Sequence, residues 1–338
     1  MQFGTGRGTI VSGILKTIGI TALAALASSQ AFASLTTFQV YSGANYGVST
    51  SGWGSVDSSG QIATSIPSGA TLVSAYLYSA YYGGITPTAT LNGSDVNFTQ
   101  NNPNATACCS LGSSRADVTS IVAAAYATAG SPTTAFNIGI TEGLTDNQDG
   151  EELVTVYQYA TGANRTVALL DGFASVTGDT ATLTLGSPVD GSTAAQLMIG
   201  DNFSCCDQAS SINVNGQVMT TVAGNNDDCV SGFVQNGCLI TVGTNLNDGG
   251  AGSDPFTPAS PTYAQDHERY DLTPYLTVGD TAITITTANA SENDNIFSAV
   301  FVVSGDATVS DGTAPEPGTW FMLATGLAGL GVAKLRRR

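Results

Sequence analysis

The run TLVSAYLYSAYY, residues 71–82, combines β-branched, aromatic and small residues and predicts a strand. Similar runs, rich in Val, Thr, Tyr and Leu, recur along the chain between clusters of Gly, Asn, Ser and Pro. Many short strands at regular turn spacing are typical of an all-β sandwich. We predict strands at 37–41, 71–79, 88–91, 136–141, 153–159, 166–175, 180–185, 196–199, 211–214, 239–242, 282–287 and 297–303.

Local turn and helix signals add to this pattern. ATLNGSDVNF (89–98) and SINVNGQVMT (211–220) each hold an Asn-Gly pair between strand-like runs, which is the strongest short signal for a hairpin. One helix is predicted at 117–129, DVTSIVAAAYATA, because Asp117 is a good N-cap and the alanines favour helix.

The second half of the chain repeats the order of the first. Five segments of the first half have counterparts in the second half, in the same order. The segments of the first half are TLVSAYLYSAYY, TLNGSDV, RADVTSIV, FNIGITE and DGEELVTVYQY. Their counterparts are AAQLMIGDNF, INVNGQV, RYDLTPYL, AITITTA and ENDNIFSAVFVVSG. Arg115 with Asp117 then parallels Arg269 with Asp271. The repeat predicts two tandem β-sandwich, jelly-roll-like domains at 34–162 and 163–306, followed by a linker at 307–314. The alternative is chance similarity in a chain rich in Ser, Thr and Gly.

The N-terminus has the three parts of a secretory signal. Arg7 and Lys16 are basic, residues 18–27 form a short apolar run, and Ala31-Phe32-Ala33 is a small-residue cleavage pattern. We therefore predict a signal peptide over 1–33 that is removed after Ala33. A buried N-terminal helix is the alternative.

The charge distribution argues against nucleic acid as a partner. All 26 acidic residues lie between Asp57 and Glu316, and only three of the nine basic residues, all arginines, lie in that span, so its formal charge is −23. Because affinity for nucleic acid comes from Lys and Arg at the phosphates, such a chain would be repelled by it. The same charge attracts cations and favours solubility.

The six cysteines indicate disulfides, because an even number in an exported chain is typical of them. CVSGFVQNGC (229–238) is predicted to be a hairpin closed by its own bridge, and the two adjacent pairs would then bond to one another. Zinc is disfavoured because there is no C-x2-C and only one His. The residues concerned are Cys108, Cys109, Cys205, Cys206, Cys229 and Cys238.

No catalytic constellation is recognisable. The single histidine, His267, lies among charged residues in QDHERYD, and G-x-S-x-G and H-E-x-x-H are both absent. The pairs Glu151-Glu152 and Asp227-Asp228 are sequence neighbours, and neighbours on a strand point to opposite faces. We therefore expect no enzymatic activity.

Acidic loops offer hard oxygen ligands of the kind that Ca²⁺ prefers. DNQDGEE (146–152), GNNDD (224–228) and SENDN (291–295) concentrate them. The first loop departs from the EF-hand pattern, because Thr145 replaces the first Asp and the twelfth position lacks Glu. Solvated loops are the alternative, and no other cofactor is expected. The candidate ligands are Asp146, Asp149, Glu151, Asp227, Asp228 and Asp294.

The tail APEPGTWFMLATGLAGLGVAKLRRR (314–338) ends the chain with a short uncharged stretch and a basic cluster. Residues 320–333 carry no charge, but these 14 residues are fewer than the roughly 20 that a spanning helix needs, and three glycines weaken a helix there. Basic residues hold such an end on the cytoplasmic side. The tail therefore predicts a transient membrane anchor.

Three features of the tail follow one another: the triplet Pro315-Glu316-Pro317, a glycine-containing apolar stretch, and the terminal Arg336, Arg337 and Arg338. In this order they resemble the PEP-CTERM sorting signal. The resemblance covers 314–338 and implies an exported protein of Gram-negative bacteria. It further implies processing near the triplet by an exosortase, a membrane-embedded cysteine transpeptidase-like enzyme. The body would then reach the cell surface or an exopolysaccharide matrix.

Three functions are compatible with these observations. The first is a non-enzymatic surface or biofilm-matrix protein. The second is a carbohydrate-binding module with an aromatic platform drawn from Tyr76, Tyr78, Tyr81 and Tyr82, half of which are expected to face the core because side chains alternate along a strand. The third and least supported is a secreted hydrolase.

The calcium hypothesis predicts that EDTA lowers the melting temperature of the exported protein and that added Ca²⁺ restores it, because a ligand that binds only the folded state stabilises it. Differential scanning calorimetry with and without EDTA measures this. Melting temperatures that coincide under both conditions would contradict the hypothesis.

Overall fold

A computed structural model describes residues 34–54, 58–103, 110–132, 134–144, 147–175, 178–202, 210–224, 240–243, 268–289 and 295–311. These residues form antiparallel strands and one short helix, so the all-β prediction is confirmed. By their contacts, Phe32–Gly312 group into one compact unit. The predicted signal peptide, the sorting tail, all six cysteines and His267 lie outside the described residues.

Each of the twelve predicted strands overlaps an observed strand, and eight further strands occur in the described part of the chain. The strands are β1 (Thr36–Tyr41), β2 (Tyr46–Trp53), β3 (Ser59–Thr64), β4 (Ala70–Tyr81), β5 (Ala89–Leu91), β6 (Ser94–Val96), β7 (Gln100–Pro103), β8 (Gly112–Asp117), β9 (Phe136–Glu142), β10 (Gln148–Tyr159), β11 (Arg165–Asp171), β12 (Thr180–Leu185), β13 (Ala195–Asn202), β14 (Ser210–Val214), β15 (Gln217–Ala223), β16 (Ile240–Val242), β17 (Arg269–Asp271), β18 (Ala282–Asn289), β19 (Asn295–Ser304) and β20 (Ala307–Asp311).

The strands form four sheets. Sheet I has the order β3-β9-β5-β6 and sheet II the order β2-β10-β4-β8-β7. Sheet III has the order β1-β11-β19-β13-β16, with β17 also paired to β13, and sheet IV the order β15-β14-β18-β12-β20. The repeat of the first half consists of β2–β6 and β8–β10, and that of the second half consists of β11–β15 and β17–β19. Counted in chain order within each repeat, strands 1, 8, 3 and 6 lie side by side in one sheet, and strands 2, 7, 4 and 5 lie side by side in the other. Eight antiparallel strands arranged this way make a jelly roll.

The predicted internal repeat is therefore visible in the pairing. β2-β10-β4-β8 of the first half corresponds to β11-β19-β13-β17 of the second, and β3-β9-β5-β6 corresponds to β12-β18-β14-β15. The four remaining strands are additions to this plan and lie at sheet edges: β7 in sheet II, β1 and β16 in sheet III, and β20 in sheet IV. Residues 307–311, which the sequence assigned to a linker, instead form β20 and pair with β12.

The two halves also share the hydrogen bonds of one turn. Asp117 Oδ1 accepts a bond from the N–H of Thr119 at 2.9 Å, and Asp271 Oδ1 accepts one from the N–H of Thr273 at 2.9 Å. The intervening residue donates its N–H to an alanine carbonyl at 2.9 Å in each half, Val118 to Ala75 and Leu272 to Ala195. Two such matches at corresponding positions are evidence for a true repeat.

After this turn the halves differ. Helix α1 (Thr119–Thr128) follows in the first half, whereas a single 3-10 turn (Thr273–Tyr275) follows in the second. The helix begins two residues later than predicted, and its N-cap residue, Val118, makes no side-chain capping bond. Asp117 closes the preceding turn rather than capping the helix.

Both Asn-Gly hairpins are confirmed. Asn92 and Gly93 have φ angles of 51° and 72°, and Asn215 and Gly216 have φ angles of 50° and 76°. Positive φ at both central residues is the type I′ turn, which matches the twist of the paired strands.

Three cores separate the four sheets, so the sheets stack in the order I, II, III, IV. Neighbouring residues of one strand point into different cores. Leu153 of β10 lies in the core between sheets I and II, whereas Val154 lies in the core between sheets II and III. Leu169 of β11 lies in that middle core as well, and Leu170 packs in the core between sheets III and IV. The two middle sheets are thus buried on both faces.

We predict that Asp117→Ala and Asp271→Ala each lower the free energy of unfolding by about 1 kcal/mol, because each removes one turn-closing hydrogen bond. The losses should add in the double variant, since the two turns share no partner. Urea unfolding followed by circular dichroism measures this. Asp95→Ala, at an exposed position of β6, is the control. An unchanged free energy of unfolding in both single variants would show that the shared turns contribute no stability.

Candidate functional site

Buried carboxyl groups gather where the middle strands end. In the described part of the chain seven of them are at most 5% exposed, which is unusual because an unpaired buried charge is costly. Strand register and the contacts below place them at the same end of the stack, which we call the acidic end. Its members are Glu142, Asp149, Glu151, Glu152, Asp171, Asp201 and Glu268.

Glu142 of sheet I and Glu151 of sheet II lie close together between the two sheets, so that each affects the pKa of the other. Ser79 Oγ and Gln148 Nε2 donate to Glu151 Oε1 at 3.2 and 3.1 Å. Burial raises the pKa of Glu142, and the charge of Glu151 raises it further. Burial also raises the pKa of Glu151, although hydrogen bonds partly offset this. The raised pKa keeps the Glu142 carboxyl protonated at neutral pH.

Glu152 links sheets II and III, because Ser298 Oγ of β19 donates a hydrogen bond to Glu152 Oε2. Burial raises the pKa of Glu152 to about 7. Glu151 thus faces sheet I while Glu152 faces sheet III, so the expectation that this pair points to opposite faces is correct.

Arg115 makes a second link across the middle core. Its Nε lies 2.5 Å from Oδ2 of Asp171, which belongs to β11 of sheet III. The guanidinium also lies over the Phe38 ring of β1, 3.2 Å from its centroid, in a cation–π arrangement. Burial raises the pKa of Asp171, and the charge of Arg115 opposes that shift. The counterpart in the repeat, Arg269, bonds instead to Gln196 of its own sheet at 3.4 Å.

The second half contributes Glu268 to the acidic end. Tyr270 Oη donates a hydrogen bond to Glu268 Oε2, and the N–H of Gly224 donates to Glu268 Oε1 at 2.9 Å. Glu268 therefore joins the beginning of β17 to the end of β15.

Of the predicted calcium ligands, the structure places Asp149 and Glu151 at the acidic end. Asp146, Asp227, Asp228 and Asp294 lie outside the described residues. Across the described ranges no three His, Cys, Asp or Glu side chains are grouped as metal ligands. Calcium binding stays a prediction.

Of the four candidate platform tyrosines, half were expected to face the core, and the structure buries three. Tyr76, Tyr78 and Tyr81 are at most 9% exposed, and Tyr82 packs partly buried against the middle core. Tyr81 Oη also donates a hydrogen bond to Asn101 Oδ1. These rings are interior because both faces of sheet II are covered, whereas the prediction assumed one solvent-facing side.

Sequence reasoning missed Glu142, Asp171, Asp201 and Glu268. Three of them share a local signal, because the strands FNIGITE and RTVALLD each end on an acid and AQLMIGDN carries Asp201 one residue before its end. An acid at or near the end of a buried strand lies at the end of the sheet. Where several such sheet ends meet, their acids lie close together.

Comparison with known proteins identifies the tail. Residues 313–338 match the PEP-CTERM protein-sorting motif. No curated protein matches the chain. In the described residues no helix is long and apolar enough to cross a membrane.

Two solved structures give weak likenesses. One is BpGH86A, a β-porphyranase of glycoside hydrolase family 86 from the human gut bacterium Bacteroides plebeius, with 12% identity over 84% of this chain and 38% of that one, at a TM-score of 0.23. This chain thus spans 38% of that protein's length. The other is BspA_C_WT, with 7% identity over 78% and 95% of the two chains, at a TM-score of 0.10. Similarity of this size supports no conclusion about function. The chain carries a PEP-CTERM protein-sorting motif at its C-terminus.

The pKa of Glu152 predicts a pH-dependent stability. The folded value of about 7 exceeds the usual value near 4.3, so the unfolded chain loses its proton first and stability falls as pH rises between those values. Glu152→Gln removes this contribution, on the order of 3 kcal/mol over the whole window. Urea unfolding from pH 4.5 to 7.5 should show a flatter profile for the variant.

The matched control is Asp95→Asn, which also removes one carboxyl but at an exposed position. It should follow the wild-type profile. A Glu152→Gln profile parallel to that of the wild type would contradict the raised pKa.

Proposed function

We propose that this is an exported, non-enzymatic protein of a Gram-negative cell surface or exopolysaccharide matrix, sorted by an exosortase through its tail. The match of residues 313–338 to the sorting motif is the observation that carries the proposal. The last described strand, β20, ends at Asp311, and one residue separates it from the start of the motif. The folded body is therefore joined almost directly to its sorting signal.

The interior of the body favours a structural role over hydrolysis. A glycosidase needs two carboxyl groups about 5–10 Å apart on either side of a sugar. Glu142 and Glu151 instead lie beside one another inside the protein, and Glu152 accepts a hydrogen bond from Ser298. These groups hold sheets together, which is what a durable extracellular scaffold requires.

The charge of the body suits the proposed location. A formal charge of −23 between Asp57 and Glu316 keeps exported copies apart in solution. It also attracts cations, which can bridge an acidic protein to an acidic polysaccharide. Exopolysaccharide is accordingly the partner that we propose.

The sorting role predicts that changing Pro315, Glu316 and Pro317 together to Ala leaves the protein unprocessed and held in the inner membrane. Cells that naturally make the protein would be fractionated and probed with antibodies against the body. The triple variant would then be found in the membrane fraction and would be larger than the wild-type protein. Thr319→Ala, in the same tail but outside the triplet, is the control. If the triple variant has wild-type size and location, sorting through this tail is ruled out.

A further inference from the structure

The beginning of the described chain is held firmly against the body. Leu35 is 5% exposed and packs in the core between sheets III and IV. The carbonyl oxygen of Ser34 lies so close to Gly172, whose φ is +142°, that an added Cβ would overlap it. Ser34 and Leu35 therefore have a defined position in the fold.

One carboxylate receives this end of the chain. Asp179 Oδ1 accepts a hydrogen bond from Ser34 Oγ at 2.7 Å, and Asp179 Oδ2 accepts one from the N–H of Leu35 at 3.4 Å. The N–H of Ser175 donates to the same Oδ2 at 2.8 Å. The N–H of Asp179 donates a hydrogen bond to Thr287 Oγ1 at 3.0 Å, and the N–H of Thr287 donates one to the carbonyl oxygen of Asp179 at 2.9 Å. The carboxylate is thus positioned before any charge arrives.

The body has few cations that could balance Asp179. Lys16 and Lys334 are the two lysines of the chain, so none lies between them. The arginine ion pair found among the described residues joins Arg115 to Asp171, not to Asp179. The Asp179 contacts given above all come from neutral donors.

Export would supply the missing charge. Cleavage after Ala33 hydrolyses the peptide bond to Ser34 and converts its neutral amide nitrogen into an α-ammonium group. The side-chain oxygen of Ser34 and the N–H of the next residue both already touch Asp179. The new ammonium is bonded to Cα of Ser34, the atom from which the side chain and the link to Leu35 both branch.

We propose that Asp179 is the binding site for the mature N-terminus, so that signal-peptide removal creates an ion pair between the Ser34 ammonium and the Asp179 carboxylate. The inference rests on the proposed export of the protein. It makes β1, which follows directly and closes the edge of sheet III, more firmly held after cleavage than before. Folding to full stability is thereby coupled to maturation.

The pair has a defined pH range. A carboxylate partner raises the pKa of the ammonium above its usual value of about 7.7–8.0. The stabilisation is therefore fully present below about pH 7.7 and is lost as pH rises through the raised value.

The test uses the exported protein carrying Lys334→Arg, in which the α-amine of Ser34 is the sole primary amine whether or not the tail is cleaved. Half of the sample is acetylated with an amine-reactive reagent, and the melting temperatures are compared at pH 6. Loss of a partly buried ion pair should lower the melting temperature by about 1–3 °C. The same comparison in Asp179→Asn should show no difference, because the partner charge is already absent.

Two further measurements keep the outcomes distinct. N-terminal mass analysis must find Ser34 first; a chain that keeps residues 1–33 refutes the proposed export, and with it the ammonium. If Asp179→Asn does not fold, an Ala inserted between Ala33 and Ser34 displaces the ammonium by about 3.5 Å and should abolish the acetylation effect. The inference is overturned if Ser34 is the N-terminus and its acetylation changes the melting temperature equally in the wild type and in Asp179→Asn. It is likewise overturned if the change is equal with and without the insertion.

Discussion

The structure depends on the middle core, where sheets II and III bury their facing surfaces against each other. Apolar side chains such as Val154 and Leu169 fill this core. The two polar links described across it, Arg115 with Asp171 and Glu152 with Ser298, lie toward the acidic end. Because both middle sheets are also covered on their other faces, polar groups there must find partners inside the protein.

The internal repeat accounts for much of this arrangement. Two halves with the same strand order and the same turn hydrogen bonds pack through equivalent sheets. Equivalent residues of the two halves nonetheless have different partners. Arg115 bonds across the middle core, whereas Arg269 bonds to a neighbour within its own sheet. Helix α1 of the first half has only a 3-10 turn as its counterpart in the second.

Local sequence signals predicted the strands with marked β-propensity and both Asn-Gly turns. They did not predict β2, YGVSTSGW, or β8, GSSRAD, because glycine and serine have low β-propensity. Both become strands through their neighbours: β2 pairs along β10, and β8 lies between β4 and β7 with Ser113 and Ser114 buried. Ladder hydrogen bonds and burial outweigh the local preference there.

The sequence by itself determined the all-β class, the repeat, the hairpins and the sorting motif, because each is encoded in neighbouring residues or in their order. Only the tertiary structure decided that the jelly rolls stack face to face. That stacking buries Tyr76, Tyr78 and Tyr81 and gathers distant acids such as Glu142 and Glu151. Contacts between sheets join residues far apart in the chain, and no local pattern specifies which faces will meet.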